Sequence, residues 1–181
     1  MSLPHRLQPA KVNREKIIEL ARRLENMLSM IDNGATEEDN ELKKMMGEWN
    51  SQVVTPGRFS DFRDFSSWTS AREFTRMAFN QEKYVDDLTW GELVDLLNFI
   101  CKSEGKESEQ NYALALLEAN FNANPSDLIY WPNEWFQDEE MLHVNLTTEE
   151  IAGYLMAKSG RHLPDAPEIE LKYPIPTNTS D

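Results

Sequence analysis

Apolar residues recur along this chain at intervals of three and four, the period of a helix with one buried face. Over residues 13–31 the stripe is Ile17, Leu20, Ala21, Leu24, Leu28 and Ile31, with Asn13 placed to cap the first turn. A second stripe, Leu42, Met45, Met46 and Trp49, follows acids in the first turn of a helix expected to start at Thr36. Asn33-Gly34 between them is turn chemistry, so the two helices are expected to form a hairpin. Thr55-Pro56-Gly57 breaks the period. Phe59, Phe62, Phe65 and Trp68 then recur every third residue, a spacing that favours core over a ligand pocket, and a helix from about Ser70 to Asn80 turns Phe74, Met77 and Ala78 inward.

Thr89-Trp90-Gly91-Glu92 has the form of a capping box, opening a helix that buries Trp90, Leu93, Val94, Leu97 and Ile100. Another helix runs from about Ser108 to Phe121 and stops at Asn124-Pro125. A very short element, Ser126 to Trp131, is closed by Pro132. The capping-box form returns at Thr147-Thr148-Glu149-Glu150, ahead of Ile151, Tyr154, Leu155 and Ala157, with Gly160 where a C-terminal cap belongs. The last 20 residues hold four prolines and are expected to be extended, with the alternation Ile169, Leu171, Tyr173 permitting one short strand. The expected fold class is all-α.

Composition alters this picture mainly through charge. The net charge is −14, but residues 1–85 are neutral, with 13 acids and 13 bases. Residues 86–160 hold 15 acids against 3 bases. A field of that sign repels phosphate backbones and speeds encounter with a basic protein, though it also serves plain solubility. Nucleic acid is therefore not expected as a partner. No run of 18 apolar residues occurs, so no membrane span is expected. Met-Ser-Leu-Pro-His-Arg-Leu lacks an apolar signal core, and the single Cys101 fits a reducing compartment. A cytoplasmic location follows as the expectation, and the glycosylation-like triplets at Asn145 and Asn178 carry little weight.

Known catalytic patterns are not found. His5, His143 and His162 are scattered, and with one cysteine and no HExxH or CxxC no metal site is expected. No phosphate loop, dinucleotide fingerprint or nucleophile elbow occurs, so no cofactor and no enzymatic role are expected. Glu139-Glu140 and Glu149-Glu150 are adjacent in sequence, and neighbours on a helix diverge rather than converge on a substrate. Cys101 ends an apolar helix and is expected to be a buried small hydrophobe. A hydrolase using a glutamate or His143 ranks last among the readings.

The informative segment is Asn124-Pro125-Ser126-Asp127-Leu128-Ile129-Tyr130-Trp131-Pro132. A helix of one to two turns cannot bury six successive side chains, so some of Asp127, Tyr130 and Trp131 must face outward. Such a helix persists only when its neighbours hold it. Two large aromatics beside a carboxylate have the composition of a protein-binding hot spot. Physics alone leaves open the alternative that both rings plug the core.

This segment resembles the short third helix of the immunity proteins that neutralise nuclease-type colicins and pyocins, where the motif reads roughly His-Pro-x-x-Ser-Asp-Leu-Ile-Tyr-Tyr-Pro. The flanks are similar in order and spacing: Leu88-Thr89 through Ile100-Cys101, Ser108 to Phe121, and Thr148-Glu149-Glu150-Ile151 through Lys158-Ser159-Gly160. The resemblance covers about residues 84–162. It implies a distorted four-helix bundle over 84–162; outside it, the periodicity leaves an N-terminal helical region over 1–83 and the prolines a Pro-rich extended tail over 163–181. The resemblance also implies an acidic inhibitor that binds a basic nuclease toxin domain and blocks substrate access. Ser126, Asp127, Tyr130, Trp131 and Pro132 would form the shared anchor, and Asn111, Leu114, Ala115, Glu118 and Asn122 the selectivity face. The other reading is a helical interaction or regulatory module with a different protein partner. Trp131 stands where the family has a second tyrosine, the loop after Pro125 is two residues shorter, and Trp135-Phe136 has no counterpart.

Overall fold

Helix caps decide where the elements begin. In the computed structural model, which describes residues 3–9, 11–81 and 83–176, nine α-helices and no strand occur among the described residues. The second glycosylation-like triplet, at 178–180, lies outside them. The fold is all-α.

Asn13 caps α1 (Arg14–Asp32), its Oδ1 accepting from the Glu15 amide at 2.7 Å. The next helix, α2 (Asn40–Asn50), does not begin at Thr36 as expected. Asp39 is the cap, accepting from the Glu41 and Leu42 amides, while Thr36 is spent in a turn whose carbonyl accepts from the Asp39 amide. Then come α3 (Phe59–Asp64) and α4 (Ala71–Met77), the latter capped by Ser70.

The chain divides into two units. The first comprises residues 9–81 together with 107–112. There α1 packs on α2, α3 and α4, and Leu24, Met27, Leu42, Trp49 and Phe62 are fully buried. The Trp49 indole donates to the Leu20 carbonyl at 3.0 Å and meets Phe62 edge-on. Gly57 has no room for a side chain, since a Cβ would lie 2.9 Å from the Phe62 ring. Trp68, expected in this core, is 54% exposed. The 3-10 turn at Phe65–Ser67 interrupts the helical spacing, and Trp68 follows it in a non-helical conformation, its ring in an edge-type pair with Phe74.

The second unit comprises residues 1–8, 82–106 and 113–181. It holds α5 (Trp90–Cys101), most of α6 (Glu107–Asn120), α7 (Pro125–Tyr130), α8 (Pro132–Phe136) and α9 (Thr148–Ser159). Both capping boxes are formed, at Thr89/Glu92 and Thr147/Glu150, and Gly160 ends α9 in the left-handed region at φ 76°. Two chain ends join this unit. Arg6 donates to Glu92 and Asp87, and the C-terminal segment lies on α9, where a Cβ on Gly153 would meet Ile169 and Leu171 at 3.0 Å. The alternation at 169–173 thus makes no strand: no second strand is offered to it, and its apolar side chains are used against a helix.

One helix more is present than the four expected over 84–162. Pro132 does not close the short element; it is the buried first residue of α8. Trp135 and Phe136 of that helix pack edge-on against Tyr154, and the Trp135 indole donates to the Ala123 carbonyl at 2.7 Å. These two rings are core.

Candidate functional site

The site begins with a helix that cannot stand alone. Asn124 sits in the left-handed region at φ 52°, which a short polar side chain tolerates, and turns the chain so that Pro125 can open α7 with a preset φ. Pro125 and Leu128 are buried and pin α7 to the unit. At Trp131 the backbone leaves the helix (φ −135°, ψ 62°), and this residue both ends α7 and precedes α8. Its amide donates to the Asp127 carbonyl, and its carbonyl accepts from the Glu134 and Trp135 amides. A joint bonded on both sides is rigid, and its side chain is thrown outward. Tyr130 is 49% exposed and Trp131 58%.

The remaining anchor residues divide. Asp127 is half-buried, its Oδ2 accepting from the Asn124 side chain at 2.8 Å. Ser126 is half-buried, 3.4 Å from the Asn124 side-chain oxygen. Pro132 is buried, so it shapes the joint and offers no surface.

On α6, Glu118 is exposed and Leu114 and Ala115 are half-buried. Asn122 lies beyond the end of the helix, in a polar depression of about 350 Å³ lined also by Asn124, Asp127, Glu134 and Lys158. Asn111 is exposed but falls in the other unit, where Asn80 donates to it.

A smaller cavity of about 230 Å³ lies beside Tyr130. Cys101, Leu128, Tyr130, Pro132, Leu146 and Ile151 help to line it. Cys101 is thus not the buried hydrophobe expected: the residue is exposed, because this hollow stands where a neighbour would have covered the last residue of α5. Its thiol has still lost enough water for desolvation to raise its pKa. Desolvation likewise raises the Tyr130 phenol, with the nearby Cys101 adding to it.

No protein-family model, curated protein or solved structure matches this chain. Among the described residues no group of three or more His, Cys, Asp or Glu is arranged to hold a metal ion, and no helix is long and apolar enough to cross a membrane.

Asn124, Glu134, Cys101 and Leu146 were not singled out from the sequence as surface residues. No local signal marks the last three. Asn124 meets Asp127 locally, three residues away at the start of α7, whereas Glu134, Cys101 and Leu146 come beside Asp127 or Tyr130 only because α5, α7, α8 and the segment before α9 converge.

Proposed function

We propose that this chain is an immunity-type inhibitor that binds a basic nuclease toxin domain through the Tyr130–Trp131 joint. The observation that carries the reading is the pair of exposed rings at a doubly bonded helix junction. Rigid aromatics lose little entropy on binding, which is why Tyr and Trp dominate interface hot spots. The setting supports it too: residues 86–160 carry 15 acids against 3 bases, a field that draws in a cationic domain and keeps nucleic acid away from it. The inhibitor would act by covering the toxin's substrate-binding face, with no chemistry of its own. Asp127, held by Asn124, would supply a carboxylate beside the rings, and the exposed Glu118 and Asn122 would tune partner choice.

The test mixes the purified chain with nuclease domains of colicin and pyocin type, DNases and RNases separately, and follows cleavage of plasmid DNA or RNA. Stoichiometric inhibition of at least one domain is expected. If every domain cleaves at its unprotected rate, the reading is wrong.

One observation favours the second reading, a helical interaction module with another protein partner. Residues 9–81 supply the buried core of a unit of their own, and those residues lie outside the resemblance to the immunity family. A module of this kind would protect against no nuclease.

A further inference from the structure

The joint at Trp131 is only as firm as the helix that follows it. The Glu134 and Trp135 amides that donate to the Trp131 carbonyl, at 2.9 and 3.1 Å, belong to the first turn of α8. Five residues are too few for a helix to persist in water without neighbours. Its two rings tie it down. Trp135 meets Tyr154 with 5.8 Å between ring centres, and Phe136 meets the same ring edge-on at 5.0 Å. Phe136 also meets Tyr173 edge-on at 6.0 Å, and Tyr173 comes from the C-terminal segment.

That segment, residues 167–176, is docked through side chains. Among the described residues it makes no backbone–backbone hydrogen bond, and Pro167, Pro174 and Pro176 have no amide to give. The Tyr154 hydroxyl is used in both directions: it accepts from the Tyr173 amide at 2.9 Å and donates to the Tyr173 carbonyl at 3.3 Å. The Lys158 ammonium donates to the Pro176 carbonyl at 2.7 Å. Where the segment crosses Gly153, Ile169 and Leu171 take the space that a Cβ would need. A stretch with so few backbone bonds sits at the low end of local stability. Yet it reaches α8 through Tyr173 and, at Pro176, the depression lined by Asp127 and Glu134.

We propose that residues 167–176 are a strap that positions the partner-binding joint, with Tyr173 as the positioning residue: its backbone is fastened to Tyr154, and its ring keeps Phe136, and with it α8, in place behind Trp131. This rests on reading Tyr130 and Trp131 as a partner-binding surface. Tyr173 need not touch the partner. It acts by lowering the entropy cost of binding, because a ring that is already fixed has little freedom left to lose.

Backbone nitrogen relaxation of the full chain reads the joint in the folded state and without a partner. Order parameters at Trp131, Glu134 and Trp135 should be about 0.85 in the wild type, as for rigid backbone, and should fall below about 0.6 in Tyr173→Ala. Gly153→Leu puts a good helix former where the strap crosses α9, and should loosen the joint equally by displacing the strap. Tyr173→Phe keeps the ring and the backbone bonds and should match the wild type. Leu97, buried in α5, should stay at about 0.85 throughout, with the helical circular dichroism unchanged. A nuclease domain inhibited by the chain should bind Tyr173→Ala about tenfold more weakly than the wild type, and Tyr173→Phe equally well.

Unchanged order at the joint in Tyr173→Ala or in Gly153→Leu overturns the proposal. So does a fall that extends to Leu97, since the segment would then be a general support of the fold. A loosened joint with undiminished inhibition of a nuclease domain overturns the positioning role and leaves the inhibitor reading standing. A joint that loosens as expected, in a chain that inhibits no nuclease, does the reverse.

Discussion

Tyr130 and Trp131 face solvent because of where the backbone breaks. A continuous helix through Pro132 would rotate one of the two rings toward the unit. The missing amide of Pro132 and the non-helical Trp131 stop that rotation. Replacing either ring with alanine is expected to cost about 2 kcal/mol or more of partner binding, read by calorimetry, while the thermal midpoint stays at the wild-type value. Trp135, five residues past Tyr130, makes a sharp contrast. It is 6% exposed and hydrogen-bonded to Ala123, so Trp135→Ala should cost about 3 kcal/mol or more of folding stability, read by urea denaturation. That part of this segment must face outward was legible, because six successive residues of a short helix cannot all be buried; that both rings do so was not, since the sequence equally allowed them to plug the core. The inward placement of Trp135-Phe136 was not: two adjacent aromatics look alike whether they face a core or a partner.

Among the elements, the best-read signals were those that satisfy backbone amides locally. The boxes at Thr89 and Thr147 involve residues only three apart, so the sequence contains both partners. Thr147→Ala is expected to lose about 1 kcal/mol of stability. The start of α2 shows where such reading fails. Thr36 and Asp39 both qualify as caps, and the carboxylate three residues on takes the amides. Asp39→Ala should therefore cost about 1 kcal/mol, whereas Thr36→Ala should cost a few tenths at most; chemical denaturation of the pair decides between the two starts. Missing α8 had a different cause. A proline read as an end also serves as a beginning, and the choice depends on what lies beyond it.

For the molecule as a whole, the contacts that matter join distant parts of the chain. Arg6 reaches Glu92 across 86 positions. Its hydrogen bonds are the chief reason that the Glu92 carboxyl is held down to about 2 from an ordinary 4.5, against desolvation that opposes it. A carboxyl depressed by folding stabilises fully above its unfolded pKa and loses that contribution as pH falls toward the folded one. The stability gap between wild type and Arg6→Ala should hence be largest above about pH 5 and close as pH approaches about 2, followed by circular dichroism during acid titration. Association with a basic domain should also slow steeply as salt is raised from low to physiological strength, with dissociation changing much less, because the acidic field acts before contact; stopped-flow rates at several ionic strengths test this.

What the sequence determined alone is the set of properties that need only neighbours: helical period, the caps at Asn13, Thr89, Thr147 and Gly160, the concentration of negative charge after residue 85, and the impossibility of burying all of 126–131. Tertiary structure decided which of several eligible residues each surface took. Cys101 became exposed, Trp68 left its core, the alternating 169–173 segment lay on α9 instead of pairing, and a cavity opened beside Tyr130. Each of these depends on whether a partner far along the chain arrives to cover the side chain, and burial is a property of that encounter rather than of the residue.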